Sequence, residues 1–170
     1  MSSLFRRISC VVVVATAFTA GDAVAVDRSL RFQSNAAGVC QAALPAFEGL
    51  IRKRPMAVQN EGASTAFVTC SPVTLQGLPT GGSHLVWLVN NTAVAVTITC
   101  TGVVGGQNGV AVLSLPKTTV VPPNSNGVLI WGAADLPADD NALSFNTSCA
   151  LAPGTGIATV YTRQSLDVGQ

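Results

Sequence analysis

The chain has 170 residues, of which 48% are hydrophobic and 10% charged, less than half the roughly 25% charged residues usual in soluble domains. Nine Lys and Arg against eight Asp and Glu give a formal net charge of +1, far from the cationic field that nucleic-acid binding requires. The surface must be built largely from Thr, Ser, Asn, Gln and Gly, which suits an exported β protein better than a cytosolic helical enzyme.

Residues 1–25, MSSLFRRISCVVVVATAFTAGDAVA, carry the parts of a secretory signal peptide in order. Arg6 and Arg7 form the basic region, residues 8–18 the apolar stretch, and Ala23-Val24-Ala25 a small-residue cleavage site. The apolar stretch is far shorter than the roughly 20 residues of a membrane-spanning helix, and no transmembrane segment is expected after cleavage. Cys10 precedes the apolar stretch, whereas a lipid-bearing cysteine should follow one. Cleavage removes 25 of the 170 residues and leaves 145, enough for one domain over residues 26–170. With Arg6, Arg7 and Asp22 gone, seven basic and seven acidic side chains remain. A secreted or periplasmic location follows. Four cysteines also remain: Cys40, Cys70, Cys100 and Cys149. An even number in an oxidising compartment reads as two disulfides. Their spacings of 30, 30 and 49 residues lack the close pairs of a zinc site.

Residues 26–38 carry little pattern and predict a short strand or an ordered tail. Thereafter the predicted strands are 39–44, 54–59, 63–70, 84–89, 93–103, 109–115, 117–121, 127–131, 142–149 and 156–163. Between them stand EG, LPTGG, NN, GGQNG, PPNSNG, LPADDN and APGTG, whose Gly, Pro and Asn supply the backbone angles of tight turns. Asn108-Gly109 and Asn126-Gly127 are hairpin-type dipeptides. Residues 43–53, ALPAFEGLIRK, contain Pro45 and Gly49 and predict an irregular segment rather than a helix. Many short strands with no long helical period predict a single antiparallel β-sandwich, immunoglobulin-like or Greek-key.

Two segments echo each other at a distance of 30 residues: VQNEGASTAFVTC (58–70) and LVNNTAVAVTITC (88–100). Both read as hairpins that end on a thiol. Strand alternation puts Ala66, Val68 and Cys70 on one face, Val94, Val96, Ile98 and Cys100 on one face, and Leu143, Phe145 and Cys149 on one face. The cysteines therefore lie on the apolar side of their strands, where a core disulfide belongs. Four cysteines allow three pairings. Cys70–Cys100 with Cys40–Cys149, and Cys40–Cys70 with Cys100–Cys149, both remain open.

The run from Trp87 to Tyr161 resembles bacterial immunoglobulin-like modules of secreted and surface proteins. The residues that carry the likeness are WLVNNTAVAVTITC, TTVVPPNSNGVLIW, LSFNTSC and GIATVYT, with a Val-x-Pro turn leading into a strand that ends at Trp131. SCALAPGTGI is similar to segments of small cysteine-stapled secreted proteins. The resemblance implies a sandwich and no particular activity. Fimbrial subunits that assemble by strand donation typically carry an aromatic residue beside the C-terminus, whereas this chain ends QSLDVGQ.

Chemistry-bearing residues are few. His84 is the one histidine, and no G-x-S-x-G nucleophile motif accompanies it; it reads as a polar residue at the start of a strand. Asp135, Asp139, Asp140 and Asn141 form the one acidic cluster, a solvated turn whose oxygens would also suit Ca²⁺. Arg52-Lys53-Arg54 reads as a charged guard on an edge strand. Trp87 and Trp131 lie in runs apolar on both faces, LVWLV and VLIW, and are expected in the core rather than as sugar-stacking platforms. Asn90-Asn91-Thr92 and Asn146-Thr147-Ser148 fit the glycosylation pattern. No catalytic residue, cofactor or metal set is assigned. The expected function is a non-catalytic binding or structural role towards an unidentified protein or glycan of the periplasm, envelope or exterior. The alternatives are a subunit of a surface appendage or coat, and a small secreted hydrolase or inhibitor using residues 79–84 and 135–141.

Overall fold

The structure is a computed structural model that describes residues 27–73, 82–106, 111–136 and 144–167. Residues 1–25, expected to be a signal peptide, lie outside it, as do Asp139, Asp140, Asn141, Leu143 and the Asn108-Gly109 dipeptide. Among the described residues eleven strands run in chain order: β1 (Asp27–Asn35), β2 (Cys40–Ala42), β3 (Ile51–Arg54), β4 (Ala57–Asn60), β5 (Ala66–Cys70), β6 (Ser83–Asn90), β7 (Val96–Gly105), β8 (Ala111–Val121), β9 (Ser125–Trp131), β10 (Ser144–Leu151) and β11 (Thr155–Asp167). One helical turn, Ala36–Val39, links β1 to β2, and short 3₁₀ turns occupy Pro45–Phe47 and Ala133–Asp135.

The strands form two antiparallel sheets that pack as a sandwich. Sheet A has the order β3-β4-β11-β6-β9, with β1 also paired to β11; sheet B has the order β2-β5-β10-β7-β8. Their inner faces bury Val58, Val86, Leu88, Trp131, Ile157 and Val160 from sheet A against Val68, Ile98, Val104, Phe145 and Leu151 from sheet B. Period-two alternation produces this partition: β10 reads intermediate-buried throughout, with Phe145, Thr147, Cys149 and Leu151 inside.

Three expectations change in detail. The predicted strand 54–59 is interrupted at Pro55-Met56, which turns β3 back onto β4. Residues 51–53, expected to be irregular, begin β3 instead. The predicted strands 109–115 and 117–121 are one strand, β8, running through Pro116. β8 is the outer strand of sheet B, where a missing N–H leaves no ladder bond unmade.

The 30-residue echo has a different meaning from the one expected. Neither segment is a hairpin: each carries the chain across from sheet A to sheet B, β4 to β5 and β6 to β7. The corner is made by a buried asparagine. Asn60 Oδ1 accepts from Gly62 N at 3.0 Å, while its Nδ2 donates to Ser64 O at 2.8 Å and Leu151 O at 2.7 Å. Asn90 repeats the arrangement, accepting from Thr92 N at 2.9 Å and donating to Val94 O at 2.8 Å, with Val121 O and Pro122 O each at 3.0 Å. A carboxamide presents both donor and acceptor, so one side chain can stand in for the backbone on both sides of a sharp bend.

Besides the carbonyls of their own corners, Ser64 and Val94, these asparagines reach Leu151, Val121 and Pro122 at the two return corners, β10 to β11 and β8 to β9. TTVVPPNSNGVLIW is therefore also a sheet-to-sheet crossing, and the residue at positive φ is Asn124 (47°), not the Asn126-Gly127 pair, which lies inside β9. The other return corner uses Gly154 at φ 77°; a Cβ there would stand 2.6 Å from Thr92 Cγ2. Backbone bonds join the four corners side by side: Gly154 N to Asn60 O (2.8 Å), Asn91 N to Gly154 O (3.0 Å) and Asn124 N to Thr92 O (3.0 Å). One end of the sandwich is thus closed by an interlocked row of bends.

Both disulfides staple sheet B from within. Cys40–Cys70 joins β2 to β5 and Cys100–Cys149 joins β7 to β10, each between directly opposed residues with Cα atoms 4.0 Å apart. Sequence neighbours pair because β10 stands between β5 and β7. Cys70 and Cys100 are therefore two strand spacings apart, about 9–10 Å, beyond the reach of a disulfide.

Candidate functional site

Trp131 and Trp87 part company. Trp131 is fully buried and its indole N–H donates to Leu115 O at 2.8 Å. Trp87 is 46% exposed, against the expectation of a core residue. The reason is phase. In β6 the inward positions are His84, Val86, Leu88 and Asn90, so Ser83, Leu85, Trp87 and Val89 face outward from sheet A. The run is apolar on both sides, and alternation alone does not say which side is inside.

Register places the neighbours of Trp87. Thr159 of β11 and Val128 of β9 are paired with it; Tyr161 is paired with Leu85 and with Gln33 of β1. Gln33, Trp87, Thr159 and Tyr161 together line an open cleft of about 360 Å³ on the outer face of sheet A. Ile130, paired with Leu85, continues the apolar strip and is 46% exposed. The floor is thus aromatic, while an amide, a hydroxyl and a phenol line the rim.

A β-bulge makes this possible. The pairing of β11 with β6 shifts between Ile157 and Thr159, so Ile157 and Val160 both face inward although three positions apart. Unbroken alternation from Ile157 would turn Thr159, Tyr161 and Arg163 into the core. The inserted residue reverses the face of everything after it. The bulge also divides the labour along this edge of β11: β4 pairs with Gly156 and Ile157 before it, β1 with residues 159–167 after it.

His84 stands at the start of β6, as expected, and points inward. It is 1% exposed, its Nε2 lies 2.8 Å from Thr147 Oγ1 and its Nδ1 3.4 Å from Thr162 Oγ1. Its ring lies 4.1 Å from that of Phe145 and 5.9 Å from that of Trp131, centroid to centroid. Gly102 makes room for this cluster, since a Cβ there would stand 2.5 Å from Phe145 Cζ. Burial pushes the imidazole down to about 3 from its ordinary 6.5, so His84 is neutral through the physiological range.

Asp135 is committed to the protein. Its Oδ2 accepts from Lys117 Nζ at 2.7 Å and from Gly132 N at 2.8 Å. The hydrogen bond from the Lys117 ammonium, followed by that from Gly132, holds the carboxyl below its usual range. Among the described residues no group of three His, Cys, Asp or Glu side chains is placed to hold a metal. Arg52, Lys53 and Arg54 lie on β3, the outer strand of sheet A; Arg54 makes a two-pronged pair with Glu61, both bonds 2.7 Å. Asn90 is buried and spent on the corner bonds, so the first glycosylation pattern is structural; Asn146 lies within β10 on the outer side of sheet B. A second hollow of similar volume, bordered by Gln41, Leu44, Pro45, Glu48 and Lys53, has no aromatic wall. Among the described residues no helix is long and apolar enough to cross a membrane.

No family model matches the chain, and no curated protein matches it. Solved structures with a similar fold include PfGH50B (12% identity, TM-score 0.49), of which the chain spans 24% while 83% of the chain is covered. A CBM35 module from Paenibacillus barcinonensis has 9% identity and a TM-score of 0.42, covering 75% of this chain and 94% of that one. The family 11 carbohydrate-binding module from Clostridium thermocellum, solved with a β-1,3-1,4-mixed-linked tetrasaccharide, has 10% identity and a TM-score of 0.39, covering 86% and 89%. None of these three reaches a TM-score of 0.5, and the functional reading rests on the chain's own residues.

Proposed function

We propose that the protein is an exported, non-catalytic binding domain that holds a glycan on the outer face of sheet A. The observation that carries this reading is the half-exposed Trp87 indole set beside Tyr161, Gln33 and Thr159 in one cleft. A large aromatic ring left in water forgoes burial worth about 2 kcal/mol. A pyranose offers a C–H face that covers such a ring and a rim of hydroxyls that meets amide, hydroxyl and phenol partners. The buried disulfides support a periplasmic or extracellular location. A non-catalytic role is supported by the burial of the one histidine and by the engagement of Asp135 with Lys117.

The test is affinity electrophoresis of the disulfide-bonded protein through gels containing a panel of soluble polysaccharides, neutral and acidic. At least one should retard the wild-type chain, and Trp87→Ala should abolish the retardation while changing the unfolding free energy by less than about 1 kcal/mol. Free migration of the wild type through every gel, or equal retardation of Trp87→Ala, would remove the reading.

A further inference from the structure

On the same outer face, one register step beyond the Gln33–Tyr161 pair, Arg31 of β1 stands directly opposite Arg163 of β11. Both are exposed. Like charges directly opposite across an antiparallel pair destabilise a sheet, and among the described residues no carboxylate forms an ion pair with either arginine. The ion pairs among the described residues are Arg54–Glu61 and Lys117–Asp135. Arg163 Nε donates to Ser29 Oγ at 2.8 Å, which steadies the guanidinium along the face and leaves its outer N–H groups directed away from that bond. Among the described residues no hydrogen bond holds the Arg31 side chain. Two guanidiniums held side by side, with no ion-pair partner among the described residues, cost the fold something and offer paired, fork-shaped donors to an anion.

The spacing ties this pair to the cleft. Arg31 is two residues from Gln33 and Arg163 two from Tyr161, so the arginines are based about 7 Å along the strands from that pair and about 13 Å from Thr159, which is level with Trp87. A ring seated on Trp87 and Tyr161 would place the next unit of its chain over the arginines. We propose that the glycan is acidic: Arg31 and Arg163 take the carboxylate of a uronic-acid unit while a neighbouring ring stacks on Trp87. A uronic carboxylate projects from the ring edge, leaving the C–H face free to stack, and its two oxygens match the fork of a guanidinium. This inference rests on the glycan-binding reading above and adds the charge of the ligand.

Polygalacturonate and its fully methyl-esterified form share one backbone and differ in charge, so they separate the two claims. The wild-type protein should bind polygalacturonate about tenfold or more tightly than the ester, the size expected from one or more charge-assisted bonds. Arg31→Gln combined with Arg163→Gln should erase that preference while binding to the ester persists, and leave the melting temperature equal or higher as the repulsion is relieved. Trp87→Ala should weaken both. Equal binding of acid and ester by the wild type, or an undiminished preference in the double arginine variant, would overturn the acidic-ligand inference while the glycan reading stands. Retention by dextran sulfate with none by polygalacturonate would overturn the carboxylate assignment. Failure of every polysaccharide, neutral or acidic, would take down both.

Discussion

The outward positions at the centre of sheet B hold Thr97, Thr99 and Thr101 on β7, Asn146 and Ser148 on β10, and Thr118 on β8, with Thr99 and Thr118 joined Oγ to Oγ at 2.9 Å. The corresponding positions on sheet A hold Leu85 and Trp87 on β6, Tyr161 and Arg163 on β11, and Ile130 on β9. Both sheets turn apolar inner faces to the same core, so the fold itself does not demand this contrast. Sheet B, cross-linked by both disulfides, shows water mainly hydroxyls at its centre, with Phe67 on β5 and Val120 on β8 exposed singly towards its edges. Sheet A has no disulfide among its described residues, and it groups the half-exposed Trp87 and Tyr161 with two arginines that have no ion-pair partner among the described residues, a grouping that a stability requirement alone would not make. Side chains that cost the free protein something and sit together on one face mark that face as the working one.

The two tryptophans give the sharpest way to break this comparison. Trp131→Ala should lower the unfolding free energy by about 3–5 kcal/mol, because it empties the centre of the core and strands the Leu115 carbonyl; chemical denaturation measures it. Removing the staple of sheet B by Cys100→Ala with Cys149→Ala should cost about 4 kcal/mol through the entropy regained by an unfolded loop closed over 49 residues, again read from denaturation midpoints. The polar centre between the sheets should make stability fall with acid. His84 is neutral in the fold with a pKa of about 3, whereas an unfolded imidazole takes up its proton near 6.5. Unfolding therefore gains a proton throughout the window from about 6.5 to about 3, and a few kcal/mol present above 6.5 are lost as pH falls through it. An NMR titration in which the His84 ring protonates near 6.5 in the folded protein would contradict this.

At the closed end of the sandwich, Asn90→Ala should cost about 2–3 kcal/mol and more than Asn60→Ala. Asn90 Nδ2 lies at 2.8–3.0 Å from three carbonyls, Asn60 Nδ2 at 2.7–2.8 Å from two; thermal melts of the two variants decide the order. The smallest effect is expected on the outer face of sheet A, where Trp87→Ala should change stability by less than about 1 kcal/mol. A loss comparable to that of Trp131→Ala would mean that Trp87 serves the fold, and the distinction between the faces would vanish.

Local pattern carried the fold class and most strand positions. Pro, Gly and Asn mark nearly every corner, and alternation set Cys70, Cys100 and Cys149 on the inner side with Val68, Ile98 and Phe145. It also drew attention to Asn60 and Asn90, though as hairpin residues, because a bend returning to its own sheet and a bend crossing to the other begin with the same few residues. The candidate site was least legible. LVWLV is apolar on both faces, and the outward phase of Trp87 is set by Asn90, whose inward carboxamide is fixed by carbonyls some 30 residues away.

The amino-acid order by itself determined a β-rich chain with apolar-facing thiols and turn chemistry at regular intervals, because these depend on contacts between residues close in sequence. Only the tertiary structure decided which cysteines pair, which corners change sheets and which side of β11 Tyr161 and Arg163 occupy. Those outcomes depend on strand neighbours and on one bulge between Ile157 and Thr159. Because side chains alternate with a period of two, a single inserted residue moves every later side chain to the opposite face.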